Sequence, residues 1–168
     1  DVRALINTAE KKGYSASLLK EVDAVNERQK LFLFEKISEK INDLNGKTLT
    51  VWGLSFKPKT SDVREASALT LIKKLVATGV KIKAYDPVAH DEAKKELGEQ
   101  IEYCNSIEDS VIDSEGIVLV TEWDEFRNVD FLNLGEKMRN KIVFDGRNIY
   151  EPEMIREEGF DYVGVGRR

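Results

Sequence analysis

The sequence holds one cysteine, Cys104, one histidine, His90, three prolines and two methionines. A single thiol excludes an internal disulfide and fits a reducing, cytoplasmic setting. Cys104 follows a short predicted strand and reads as a half-buried structural thiol. His90 lies in a polar stretch without a partner at readable spacing, so it reads as exposed and not as a base. Neither a Ser-His-Asp order, nor Cys-x-x-Cys, nor any metal-ligand spacing is present. No apolar run approaches the roughly 18 residues that would span a membrane. There is no basic tract: 26 Lys and Arg are dispersed among 31 Asp and Glu, with a net charge of −5, so nucleic acid is not an expected partner. The start, Asp1-Val2-Arg3-Ala4-Leu5, carries neither Met nor the basic-then-apolar pattern of a signal peptide, and the expectation is a piece of a longer protein. Repeats and low-complexity stretches are missing as well.

What is present suits one globular domain with an appendage: 168 residues, 41% hydrophobic and 34% charged. A chain of that size buries a core without metals or disulfides. Residues 1–45 read as a helical segment and 46–168 as an α/β domain. In the first part, residues 2–12 form a short helix ended by Gly13. Residues 17–45 form one long helix, with Leu18, Val22, Val25, Leu33, Ile37, Ile41 and Leu44 at helical spacing. A helix of that length is expected to serve as a connector or a subunit contact.

From Lys47 the period changes to strand–helix alternation. Strands are predicted at residues 48–52, 80–85, 101–103, 116–121 and 141–144, with a possible edge strand at 162–165. Helices are predicted at 66–78, 91–97, 106–113, 131–138 and 153–158. The apolar run 116–121 suits a strand covered on both faces. Short β-α units imply a Rossmann-like, doubly wound parallel sheet, here preceded by a helical segment with one long helix.

In such a sheet, ligands bind beyond the carboxyl ends of the strands. Three loops qualify: residues 53–65, 121–124 and 145–148. The first lacks the Gly-x-Gly-x-x-Gly fingerprint, so a tight phosphate cradle of backbone amides is not expected there. It is long and carries Phe56, Lys57, Lys59 and Arg64, cations suited to phosphate beside an aromatic face suited to a base or ribose. The alternative is a solvated loop in which Asp62 and Glu65 cap the next helix. Asp86 stands where dinucleotide sites hold a ribose, but Asp86-Pro87 reads better as a turn or cap. Arg147 follows a strand end and is expected at the ligand rim. Trp52 and Trp123 read as packing residues, Trp123 with a possible rim contact.

Gly53-Leu54-Ser55-Phe56-Lys57-Pro58-Lys59-Thr60-Ser61-Asp62-Val63-Arg64-Glu65-Ala66-Ser67 resembles a motif of the UDP-glucose and GDP-mannose dehydrogenase family. Tyr85-Asp86-Pro87, Thr121-Glu122-Trp123 and Asp145-Gly146-Arg147-Asn148 extend the resemblance. Asp1 to Ile6 resembles the stretch just after the family's active-site cysteine segment, and the helix with Asn26 and Gln29 fits its central helical region. The resemblance implies a C-terminal domain that binds a UDP-sugar, with Phe56, Lys57 and Arg147 on the substrate. It implies that Arg64 reaches an NAD held by another domain and that Asp1 assists the hydrolytic half of a thioester mechanism. It also implies a homodimer through the helical segment. The cysteine nucleophile and the NAD domain have no counterpart in the chain, which is expected to be inactive alone. UDP-glucose is the expected substrate. The rivals are a UDP-N-acetylhexosamine and a non-catalytic nucleotide-binding module.

Overall fold

A computed structural model describes residues 2–167. Three helices come first: α1 (Val2–Lys11), α2 (Ser17–Lys30) and α3 (Phe32–Lys40). Then follow β1 (Thr48–Trp52), α4 (Ser67–Ala77), β2 (Lys81–Tyr85), α5 (His90–Leu97), β3 (Glu102–Tyr103), α6 (Ile107–Ser110) and β4 (Ile117–Leu119). A 3-10 turn (Asp124–Asn128), α7 (Phe131–Lys137), β5 (Ile142–Asp145), α8 (Pro152–Glu157) and β6 (Asp161–Gly164) complete the order. The six strands are all parallel, in the order β3-β2-β1-β4-β5-β6. The doubly wound sheet expected from the alternation is therefore present, and its strand order reverses between β1 and β4.

Each face of the sheet has its own core. Leu49, Val51, Ile82 and Ala84 pack with Leu71, Ile72 and Leu75 of α4 and with Ala93 and Leu97 of α5. On the other face Trp52, Ile117, Leu119 and Val143 pack with Phe126, Phe131, Leu134 and Ile155. Trp52 stacks on Phe126 with ring centroids 5.3 Å apart, and its indole N–H donates to Ser110 Oγ. Trp52 is thus a packing residue, as the sequence suggested.

The long helix is bent. It breaks at Leu31, whose N–H turns back to Arg28 O and Gln29 O, and it ends at Lys40 instead of Asn45. The local tightening re-aims the apolar stripe. Beyond the bend, Leu33, Ile37 and Ile41 enter the core shared with α4. Before it, α1 and α2 bury no residue fully, and Leu18, Val22 and Val25 remain exposed. The stripe read as continuous therefore has two fates.

Candidate nucleotide-binding cleft

The loops after β1, β4 and β5 are fixed from beneath by two buried aspartates. Asp86, at the end of β2, accepts from six donors: Leu54 N, Ser55 N, Ser55 Oγ, Trp123 Nε1, Val88 N and Ala89 N. Its oxygens are committed to these loops, which supports the turn-and-cap reading and leaves no free acceptor for a ribose. His90 belongs to the same arrangement. Its Nε2 accepts the Asp86 N–H at 3.1 Å, and its ring lies edge-on to Tyr85 and Tyr103. His90 is half-buried, against the expectation of an exposed residue, and burial lowers its pKa. Cys104 is more enclosed than expected, at 5% exposure, and burial pushes its thiol up to about 11. A thiol held protonated is inert.

Asp145, at the end of β5, accepts from Arg147 N, Tyr150 N and Tyr162 Oη. Between the two aspartates, Gly53 takes a φ of +89°, and a Cβ there would lie 2.4 Å from the Thr121 side chain. Its glycine serves the contact between the first two loops, not a phosphate cradle.

The capping expected of Asp62 and Glu65 does not form. Asp62 instead accepts from the Arg64 backbone N–H and from its guanidinium, at 2.7–3.2 Å. The Arg64 hydrogen bonds hold the Asp62 carboxyl down to about 2. Glu65 sits in the left-handed region with φ 58°, and α4 starts at Ser67 after Ala66, which offers no side-chain cap. The first turn of α4 thus presents uncapped N–H groups and the positive end of its dipole.

A cleft of about 610 Å³ lies between these loops and the helices α1 to α3. Phe56, Arg147, Val120, Gly146 and Ser67 line one side; Asn26, Gln29, Lys30 and Phe32 line the other. Phe56 is 53% exposed, so its ring is available to a ligand. Arg147 is held by a 2.6 Å hydrogen bond from Nε to Val120 O. Glu122 Oε2 lies 3.1 Å from the same Nε, is buried, and accepts no hydrogen bond, because that N–H is aimed at Val120. The carboxylate steadies the cation while the two Nη groups have no protein partner among the described residues. A planar fork with its outer edge open is suited to bidentate binding of a phosphate.

The structure therefore brings Phe56 and Arg147 into one cleft. Lys57 is exposed and does not line it. Arg64 lines a smaller adjoining cleft of about 380 Å³, with its fork turned onto Asp62. Lys59 is highly exposed and 3.9 Å from Asp124. Asp1 lies outside the described residues. No cluster of His, Cys, Asp and Glu fit for a metal ion occurs among the described residues, and no helix among them is long and apolar enough to cross a membrane.

One group of charges escaped the sequence reading. Arg3 bridges Asp23, Glu27 and Glu65, while Lys30 pairs with Glu27 and Glu65, each at 2.8 Å. Arg3, Glu27, Lys30 and Glu65 line both clefts and form the partition between them. Only the Glu27–Lys30 pair, three residues apart on one helix, had a local signature.

The profile of the UDP-glucose/GDP-mannose dehydrogenase family, UDP binding domain, matches residues 50–152. UDP-glucose 6-dehydrogenase of Pseudomonas aeruginosa is 42% identical over 173 residues, covering 99% of this chain and 38% of the relative. A UDP-glucose 6-dehydrogenase of Bacillus subtilis is 34% identical, covering 99% and 36%. Among solved structures, a UDP-glucose dehydrogenase from Pyrobaculum islandicum superimposes with a TM-score of 0.85 at 28% identity, over 99% of this chain and 36% of that one. The chain thus spans well under half the length of these relatives. With the strand order, the three rim loops and the profile in agreement, the chain belongs to the UDP-glucose/GDP-mannose dehydrogenase family, through that family's UDP binding domain.

Proposed function

We propose that residues 46–168 bind the UDP portion of a UDP-sugar in the larger cleft, and that residues 1–45 are the end of a central helical domain. The observation that carries this reading is the shared lining of Phe56 and Arg147, with the open Arg147 fork and the uncapped start of α4 on one side. Arg147 takes the diphosphate by paired hydrogen bonds. Lys57, exposed next to Phe56 in the chain, adds a point charge. Phe56 offers its ring to the base or ribose. Arg64, released from Asp62, serves a dinucleotide on the far side of the partition, and Asp1 serves the hydrolytic half of the reaction.

The parent enzyme, on this reading, oxidises the C6 hydroxyl of UDP-glucose with NAD. The α/β unit itself does not fit NAD: it lacks the glycine fingerprint, Gly53 is filled against Thr121, and Asp86 is saturated. A homodimer through the exposed Leu18, Val22 and Val25 face completes the proposal. Calorimetry of the chain with UDP, UDP-glucose, a UDP-N-acetylhexosamine and NAD tests it. Binding of UDP and UDP-glucose without NAD is expected. Binding of NAD alone would replace this reading with an independent dinucleotide domain.

A further inference from the structure

The cleft is anchored unevenly at its two ends. At one end α3 inserts Leu33 and Ile37 into the core. Leu33 reaches the rim so closely that a Cβ on Gly146 would lie 2.6 Å from its Cδ1. At the other end α1 and α2 bury nothing fully. Among the described residues, the ion pairs that cross from α1 and α2 to the α/β unit, Arg3–Glu65 and Lys30–Glu65, both end on one side chain.

Glu65 also takes a left-handed backbone, with φ 58°. That conformation is uncommon for a residue with a Cβ, and side-chain contacts help to hold it. Here Arg3 Nη1 donates to both Glu65 oxygens at 3.2 Å, and Lys30 Nζ donates to Oε2 at 2.8 Å. The next residues, Ala66 and Ser67, set the start of α4, and Ser67 lines the cleft. The same carboxylate is thus tied to both walls. Asp23 and Glu27 already balance the charges of Arg3 and Lys30, so Glu65 is not simply neutralising a stray cation.

We infer that Glu65 is a positioning residue: it clasps the helical wall onto the rim and thereby holds the nucleotide cleft at its binding width. The coupling to affinity rests on the proposed UDP site; the clasp itself does not. Glu65 does not itself touch the nucleotide. Its removal leaves Phe56, Arg147 and the α4 start intact but lets α1 and α2 swing on the bend at Leu31. Because Glu65, on which both pairs end, is 62% exposed, the clasp weakens with salt.

Two measurements on the full chain separate these claims. Hydrogen exchange of parent, Glu65→Gln and Glu65→Gly is compared at low and high salt. The glycine variant also relieves the left-handed backbone, so a loss common to both variants belongs to the carboxylate. Faster exchange in α1 and α2 is expected in both, with β1 and α4 unchanged, and salt should move the parent towards the variants. Equal exchange in parent and both variants overturns the clasp. In parallel, UDP calorimetry should show affinity about fivefold lower in Glu65→Gln, a loss that shrinks as salt rises. Loosened helices with unaltered UDP affinity overturn the positioning role. A parent that binds no UDP overturns the site and the coupling together, and exchange alone then decides the clasp.

Discussion

The rim loops of the sheet and the helices α1 and α2 face one cleft, yet they are held by different forces. The rim hangs on Asp86 and Asp145, carboxylates at 2% and 0% exposure whose donors come from several loops. Water does not compete there, so each hydrogen bond counts nearly in full. The helical wall buries no residue fully, and its ion pairs to the α/β unit end on Glu65, whose side chain is 62% exposed, so water and salt compete there. One wall is therefore a fixed template, and the other is adjustable. If the proposed site binds its ligand, a surface divided in this way would keep its anion-binding geometry while the opposite wall adjusts.

The most severe test of this contrast is Asp86→Ala. It strands the buried N–H donors of Leu54, Ser55 and Ala89 at once, and the half-buried one of Val88. Loss of at least about 3 kcal/mol is expected from urea denaturation, since each hydrogen bond to a buried charge contributes about 1.5–3 kcal/mol. Glu65→Gln, on the other wall, should leave the global midpoint nearly unchanged. Equal losses from both would erase the distinction.

Arg147→Ala probes the template's ligand face. Removing a charge-assisted hydrogen bond to the diphosphate should weaken UDP binding by roughly 10-fold or more, read by calorimetry on protein confirmed as folded. Lys57→Ala should cost less, because Lys57 stands outside the cleft lining. Lys59→Ala should change little: its side chain is 82% exposed and its nearest carboxylate is 3.9 Å away. A loss for Lys59→Ala as large as that for Arg147→Ala would reduce the site to a diffuse basic patch.

Val22→Glu probes the outer face of the adjustable wall. Val22 is 40% exposed between Leu18 and Val25, so a new charge there costs no core. Sedimentation should show self-association of the parent, weakened in the variant. Leu33 is unsuitable for this purpose, though it belongs to the same sequence stripe, because it is buried under the cleft floor.

The contrast also separates the parts of the molecule that were legible in the sequence from those that were not. The sheet was readable because alternation, glycine stops and apolar β4 are local signals. The rim residues Phe56 and Arg147 were readable because strand ends share an edge in a parallel sheet. The bend at Leu31 was not, since no proline or glycine marks it. The burial of Leu33 and the exposure of Leu18 come from the bend, not from periodicity. The Arg3–Glu65 pair joins residues 62 apart, and the capping pattern Asp62-x-x-Glu65 pointed elsewhere. Local grammar describes single elements; ion pairs between elements have none.

The smallest expected effect is a pH response confined to the helical wall. Hydrogen bonding from Lys30, with its charge and that of Arg3, lowers the pKa of Glu65, and the same Lys30 hydrogen bond chiefly lowers that of Glu27. For a carboxyl whose folded pKa lies below its unfolded value, stabilisation is present above the unfolded value and is lost as pH falls through the folded one. The unfolded reference is 4.5 for both groups, so the window opens below that pH. Lys30 runs the opposite way: burial opposes its charge, but the hydrogen bonds to Glu27 and Glu65 raise its pKa, so its share is lost only at strongly alkaline pH. The side chains of Glu27 and Glu65 are 45% and 62% exposed, so solvent screening keeps the response local and small. Backbone amide shifts followed by NMR from neutral pH to about pH 3 should move in α1, α2 and residues 63–66 before the sheet responds. In Glu65→Gln the movement at residues 65 and 66 should shrink while that near Glu27 persists, and Arg64, whose N–H donates to Asp62, should still respond at the acid end. A sheet that titrates together with the helices would mean that the two walls form one cooperative unit, and the clasp would have no separate existence.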